Sequence, residues 1–316
     1  MDKSKITIEQ YIGFEKKKAM GEHKKVNWGK ILSFAFLTLF CIIWISPFVI
    51  MFFGSLRGFQ DTMMYPKELF KPHSGYTLEN YKILLTNEFP EGVIHNKTQP
   101  YRIGYWFMNT CFSAIGGTLL YLVVASLAAY AFVFLDFRYR NVIFGILIAT
   151  MVIPGAATAV GNQSIVFGLK MHKVGVLALI IPGLGGVYGM YLIKTFFEAI
   201  PKDLVESAKM DGYSNLKIFR KIVLPLGKTA LFVQGLFGFM GGWNDLIWPQ
   251  MLYGTMDNKR WTLQVGMAYV INNSKNASLV GTALAGGVIC LVPVLIVYII
   301  AQNKIIEGMA GAGIKR

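Results

Sequence analysis

The sequence predicts an all-α polytopic membrane protein with six transmembrane helices, and three observations carry that prediction. The 316 residues are 54% hydrophobic and only 15% charged, whereas soluble domains are roughly 45–50% apolar and about 25% charged. The apolar residues gather into six runs of the ~20 residues a helix needs to cross a bilayer core. The remaining charge is lopsided, 31 Lys and Arg against 17 Asp and Glu. Such an excess is what membrane proteins keep in their cytoplasmic loops. A chain this apolar has too much to bury to be disordered. A nucleic-acid function would need the cations gathered on one face, so none is expected.

The first run, 31–56, carries no charge. It exceeds the h-region of a cleavable signal, and a long basic segment, 1–30, precedes it. The second, third and fourth runs, 104–135, 141–169 and 174–193, are also free of charge. The fifth, 229–256, holds one charge, Asp245, and the sixth, 276–303, holds none. Six spans put both termini on one side. If that side is cytoplasmic, the inner segments 1–30, 136–141, 194–228 and 304–316 contain 20 of the 31 Lys and Arg. Both termini are therefore expected inside. The expected organisation is a basic cytoplasmic segment 1–30, a transmembrane domain 31–303 with a cytoplasmic loop 194–228, and a cytoplasmic tail 304–316.

The third run contains Pro154-Gly155, and the fourth contains Pro182-Gly183 followed by Gly185, Gly186 and Gly189. Proline removes a backbone donor and clashes with the preceding turn, so both helices should kink or break. The Gly185…Gly189 spacing allows close helix contact, and a pathway-lining hinge is the alternative reading.

Catalytic and metal constellations are missing from the sequence. His23, His73, His95 and His172 are scattered over tails and loops, without ligand spacing. Cys41, Cys111 and Cys290 lie far apart inside apolar runs and read as buried, inert thiols. Gly227-Lys228-Thr229 resembles the end of a phosphate-binding loop, but position 222, where that loop needs glycine, is Ile. No ATP site, metal site or cofactor is expected on this chain. With Asp245 as the single acid inside a span, the chain has no ion relay, which disfavours a secondary carrier.

The informative segment is 200–225. Pro201 suits a first helical turn, and Asp203 complements the positive end of the helix dipole. Leu204 and Ala208 are expected to share one face, and Gly212 suits a left-handed helix end. Ser214 can cap a second helix in which Leu216, Phe219 and Val223 form a stripe, with Lys217, Arg220 and Lys221 on other faces. Pro225 is expected to end that helix. A compact helix–turn–helix, amphipathic on both arms, suggests a docking element.

Glu206, Ala208, Gly212, Ile222, Leu224 and Pro225 also stand at the spacing of the Glu-Ala-Ala…Gly…Ile-x-Leu-Pro loop. The segment thereby resembles the permeases of ABC importers, with Ser207 in place of the second alanine. The likeness runs from about residue 30 onward, toward the carbohydrate class similar to the maltose permeases, in particular the partner with short periplasmic loops. Ser55-Leu56-Arg57, Thr77-Leu78-Glu79-Asn80-Tyr81, Ser126-Leu127-Ala128-Ala129-Tyr130-Ala131 and Trp243-Asn244-Asp245-Leu246-Ile247-Trp248-Pro249 extend it. So does the small-residue tail Gly308-Met309-Ala310-Gly311-Ala312-Gly313-Ile314-Lys315. The basic N-terminus is longer than this class usually shows, and Gly155 stands where a polar side chain is common.

This resemblance implies a type I importer permease fold and the inner membrane of a prokaryotic cell. It implies a non-catalytic subunit paired with a second, homologous permease and two cytoplasmic ATPases that bind Mg-ATP. An extracellular solute-binding protein would deliver a sugar or oligosaccharide; a non-sugar solute and an ion-coupled carrier are the alternatives. Glu206, Ser207, Ala208, Asp211, Gly212, Ile222, Leu224 and Pro225 would form the ATPase-docking loop. Gly308, Ala310, Gly311 and Lys315 would reach the ATPase interface. Trp243, Asn244, Asp245 and Trp248 would line the path, and Lys259, Arg260 and Trp261 would meet the binding protein.

Overall fold

The computed structural model describes residues 28–65, 67–68, 70–91, 99–273 and 279–313, with side chains as far as 302. Among the described residues the chain is helical throughout, and its one extended pairing is an isolated bridge between Arg57 and Tyr76. It is an all-α, multi-pass membrane protein. Three helices are long and apolar enough to cross a bilayer, and three bent helix pairs raise the count to as many as six spans.

The chain divides into two compact units, 1–50 and 51–316. The first consists, as far as it is described, of the greater part of helix α1, Trp28–Ser55. From Ile31 it carries no charge and has apolar side chains on every face, and Phe36, Phe40 and Trp44 follow one another at the four-residue spacing, with centroids 6.1 and 5.8 Å apart. Cys41 is exposed on this helix, not buried as its apolar setting suggested. A helix with apolar side chains on every face has no need to turn a particular face inward when its solvent is hydrocarbon.

In the second unit, α2 (Phe59–Met64) and α3 (Glu79–Thr86) belong to the loop after α1. The second span, α4, runs over Ile103–Phe134 and passes through a π turn at Phe112–Gly116. The third span is two helices, α5 (Arg140–Thr150) and α6 (Gly155–Gly168), bent by 102°. The fourth is α7 (Leu177–Gly185) and α8 (Val187–Glu198), bent by 52°. The first break falls at the predicted Pro154-Gly155; the second falls at Gly186, three residues beyond Gly183, because Pro182-Gly183 is carried through a 3₁₀ turn at Ile181–Gly185. At the second of them Gly189 is closely approached, since a Cβ there would lie 1.4 Å from the Tyr121 hydroxyl and 2.7 Å from Gln234 Oε1. Tight packing is therefore the role of Gly189, while Gly185 faces open space.

The 200–225 segment forms α9 (Lys202–Met210) and α10 (Asn215–Leu226). α10 meets α11 (Lys228–Asn244) at 79°. α11 stops at Asn244, short of the continuous span predicted to 256. Asp245 takes an extended conformation, and its Oδ1 accepts the Trp248 amide at 3.3 Å, opening the short helix α12 (Ile247–Tyr253). Asp245 thus sits at a helix break, not within a continuous span. α13 (Leu263–Asn273) and α14 (Val280–Gly313) complete the chain. α14 continues through the residues read as a separate tail from 304.

Two hydrophobic clusters hold the second unit together. One gathers Trp106, Trp243, Tyr253, Trp261 and Leu263. The other gathers Met190, Ile193, Phe197, Val205, Ile218, Phe219 and Val223 around the far half of α4.

Candidate functional site

The 200–225 segment, read from the sequence as a docking element, is built as a hairpin of helices. Pro201 stands immediately before α9 as its N-cap. At the other end Gly212 has φ +78°, the left-handed conformation that costs an L-residue ~1–2 kcal/mol. The Gly212 amide donates to Lys209 O at 3.0 Å and the Tyr213 amide to Ala208 O at 2.9 Å. This is the paired bonding of a Schellman helix end. Ser214 then caps α10, its hydroxyl accepting from the Lys217 amide at 3.4 Å.

The buried faces differ from those read in the sequence. On α9 they are Val205 and Ala208, whereas Leu204 is 48% exposed. On α10 they are Ile218, Phe219 and Val223, whereas Leu216 is 58% exposed. On α10 the reason lies in a π turn at Phe219–Val223, which inserts a residue and brings Ile218 into line with Val223 five positions on. Pro225 does not end the helix; α10 runs to Leu226, and the chain turns at Gly227. The π turn upstream re-spaces the carbonyls that a proline leaves without a donor. Gly227-Lys228-Thr229, the apparent phosphate-loop ending, is this helix junction.

The eight residues read from the sequence as docking positions therefore divide by exposure. Ala208 is buried and Ile222 and Leu224 half-buried against the cluster beneath, where Tyr130 meets Phe219 edge-on at 5.3 Å. Glu206, Ser207, Asp211 and Pro225 are exposed. Gly212 makes the turn between the arms.

A cavity of about 270 Å³ lies between the two hydrophobic clusters. It is lined by Ser113 and Tyr121 of α4, by Gly183 of α7, and by Gly241 and Asp245 from α11 and its end. Thr118, which also lines it, is buried, and its hydroxyl has no hydrogen-bond partner among the described residues. Ser113, Thr118 and Tyr121 escaped the sequence reading, because they lie in an unbroken apolar run whose inward face no motif marks.

Of the four path residues read from the sequence, Asp245 alone lines this cavity. Asn244 is exposed, and its side chain donates to Met240 O at 2.9 Å. Trp243 is a core residue, 1% exposed. Its ring meets Phe107 edge-on and stacks on Phe239, while Nε1 donates to Cys290 O at 3.1 Å. Trp248 packs against the same cluster.

The 254–275 loop is similarly split. Lys259 and Arg260 are exposed, but Trp261 is buried. Trp261 stacks on Trp106 with centroids 5.9 Å apart and donates from Nε1 to Tyr253 O at 2.8 Å. Asn109 donates to the Lys259 and Trp261 carbonyls at 2.8 and 2.9 Å, so the loop is pinned to α4. Gly308, Ala310 and Gly311 lie in α14. Lys315 lies outside the described residues.

The structure also gives the two motifs after α1 a role. Asn80 donates to the Ser55 and Arg57 carbonyls at 2.9 and 2.7 Å and accepts from Thr282 at 3.2 Å. One buried amide thus ties the end of α1 to α3 and to the start of α14. Nearby, Asp61 accepts from the Ser74 hydroxyl at 2.5 Å and from the His73 and Ser74 amides. The Ser74 hydroxyl bond, opposed by burial and helped by those amides and the Arg57 charge, holds the Asp61 carboxyl below its ordinary 3.8. A depressed carboxylate stabilises the fold above its unfolded pKa and loses that contribution as pH falls through the folded value. The Ser74 amide should therefore lose hydrogen-exchange protection on acidification below pH 3.8, and an Asp61→Asn chain should lack this pH dependence.

Comparison with known proteins agrees with this architecture. A family model described as the binding-protein-dependent transport system inner membrane component matches residues 121–305. The arabinooligosaccharide transport system permease protein AraQ of Halalkalibacterium halodurans is 25% identical, over 92% of this chain and 97% of its own. The osmoprotective compounds uptake permease protein GgtD of Synechocystis is 28% identical, over 91% and 93%. The crystal structure of a bacterial ABC transporter involved in alginate import contains a chain that superposes with a TM-score of 0.69. That chain is 21% identical, over 90% of this chain and 98% of its own, and establishes likeness of fold.

Proposed function

The chain belongs to the family of binding-protein-dependent transport system inner membrane components, and from that membership we propose that it is one of two permeases in an ATP-driven sugar importer. The second permease is a homologous chain. Two cytoplasmic ATPase subunits bind and hydrolyse Mg-ATP, and an extracellular binding protein delivers a sugar or oligosaccharide. Both termini and the 194–228 loop face the cytoplasm.

The observation that carries this reading is the geometry of the α9–α10 hairpin, closed by paired hydrogen bonds at Gly212 and seated on a buried cluster. A floppy loop would absorb the motion of an ATPase, whereas a helix locked by a Schellman end and seated on a span cluster transmits it. Glu206, exposed on the outer face of α9, is placed for a charge-assisted contact with a basic ATPase residue. Val205 and Ala208 on the opposite face pass the displacement to the cluster around Phe197 and Phe219.

The cavity supplies the solute contact. One carboxylate, two hydroxyls and the Tyr121 side chain beside backbone-exposing glycines suit a polyhydroxylated ring. Its about 270 Å³ lies below the ~300–1,000 Å³ of drug-sized sites, which fits one ring at a time. The permeases for arabinooligosaccharides and for osmoprotective compounds match this chain comparably well.

Gly241 lines the cavity, and a Cβ there would meet nothing within 4 Å. Gly241→Leu should therefore place its Cβ without a clash and add apolar bulk to the cavity wall. Uptake by the reconstituted importer should fall about tenfold or more, a barrier rise of only ~1.4 kcal/mol, while binding-protein-stimulated ATPase activity persists. The function itself is tested by purifying the complex and measuring that stimulation across a panel of glycans and osmoprotectants. Purification of the chain alone, with uptake driven by an ion gradient, would overturn the importer reading.

A further inference from the structure

We propose that the outward face of α10 binds the anionic phospholipid headgroups of the leaflet beside it. The inference rests on the proposed cytoplasmic placement of the 194–228 loop. Its first support is geometric. α10 meets the spanning helix α11 at 79°, so a bilayer crossed by α11 has α10 lying close to its plane. A single residue, Gly227, separates the two helices, which keeps α10 at the depth where the span emerges.

The second support is charge partition along the hairpin. Residues 202–211 carry two lysines and three acids, whereas 213–228 carry four cations and no acid. Those cations, Lys217, Arg220, Lys221 and Lys228, are all exposed. Among the described residues, no ion pair involves them. Within one compact hairpin, α9 has the mixed charge of a protein-facing helix, and α10 has the single sign that an anionic surface attracts.

The third support is the apolar residues left beside the cations. Ile218, Phe219 and Val223 are taken by the chain's own cluster, yet Leu216 and Leu226 stand 58% and 56% exposed at the two ends of α10. A helix with basic residues and exposed leucines, parallel to the membrane, has the composition of an interfacial helix. Its lysines reach headgroups while their stems cover apolar surface. Lys217 already lays its ammonium 3.6 Å over the Tyr213 ring. Lipid phosphates held here would brace the coupling hairpin against the bilayer, so the charge of the leaflet would tune the transmission of ATPase motion.

The test compares the full importer with a Lys217→Gln, Arg220→Gln, Lys221→Gln variant, whose altered side chains are all solvent-exposed. Phosphatidylglycerol and phosphatidylcholine retained on each detergent-purified complex are counted by native mass spectrometry. ATPase activity is measured in nanodiscs of graded phosphatidylglycerol content. The wild type should retain phosphatidylglycerol preferentially, and the variant should lose affinity about fivefold per cation removed. Its ATPase response should shift to higher phosphatidylglycerol content. Equal retention by the two proteins would overturn the proposal. So would a variant that sheds its ATPase subunits in every lipid, since the face would then be a protein contact. Lipid retention reads the surface, and ATPase stimulation reads the transport function, so each can fail alone.

Discussion

Gly212→Pro should abolish coupled uptake while leaving a correctly inserted chain. Proline holds φ near −65°, whereas Gly212 sits at +78°, so the Schellman end of α9 cannot form. The Ala208 and Lys209 carbonyls would lose the Tyr213 and Gly212 amides they now accept, and α9 would no longer have a fixed angle to α10. Transport in proteoliposomes should fall by at least about tenfold, equivalent to ~1.4 kcal/mol of barrier, while ATP hydrolysis loses its dependence on the binding protein. A graded series sharpens the test. Gly212→Asn should be mild, because Asn visits the left-handed region, and Gly212→Ala should lie between at a cost of ~1–2 kcal/mol. Wild-type uptake by the proline variant would show that the hairpin angle carries no motion.

The second large effect is on stability. Trp106 is fully buried, stacks on Trp261 and donates to Asn258 O at 2.8 Å. A Cβ at Gly266 would lie 2.1 Å from its ring. The ring has a stacked partner and a hydrogen bond to lose, so it cannot swing aside. Gly266→Ala should therefore reach the upper end of the ~1–3 kcal/mol typical of overpacking, or exceed it. Thermal unfolding of the purified complex would report the loss as an earlier transition. Gly145→Ala is the matched control. Gly145 lies inside α5 with nothing within 4 Å of its missing Cβ, so the same methyl should stabilise the helix by up to ~1 kcal/mol. A double cycle with Trp106→Leu should recover part of the Gly266→Ala loss, because the two residues share one contact.

Both predictions depend on glycines, yet only one was legible beforehand. Gly212 stands between a helical pattern and a capping serine, a local arrangement that fixes the backbone conformation from a few neighbouring residues. Gly266 is glycine because a tryptophan 160 positions earlier packs against it, and no local pattern reports that. The same division explains the docking loop. Its helices, turn and cap follow from nearest neighbours, but the buried face of its second arm is shifted by the π turn at Phe219–Val223. A period of 3.6 residues, applied without that insertion, assigns Leu216 to the core when Ile218 occupies it.

Trp243 shows the limit from the other side. An aromatic next to Asn and Asp in a span reads equally as a solute platform or as packing, since residue type alone does not distinguish them. Phe107, Phe239 and the Cys290 carbonyl decide it, and they come from three different parts of the chain. Asp245 went the other way. The break at 245–246 removes it from a continuous span and sets it on the wall of a cavity whose other lining residues lie in α4, α7 and α11.

The sequence by itself determined the apolar spans, the breaks in the third and fourth of them, the amphipathic hairpin and its left-handed turn, because each depends on residues within a few positions of one another. Tertiary structure alone decided which hairpin face is buried and which tryptophans are core. It also decided that Asn80 joins three elements and that Thr118, Tyr121 and Asp245 share a cavity. In hydrocarbon, apolar residues are equally at home facing lipid or protein, so hydropathy marks the spans without saying which faces meet. That choice is made by close packing and a few buried polar bonds between distant segments.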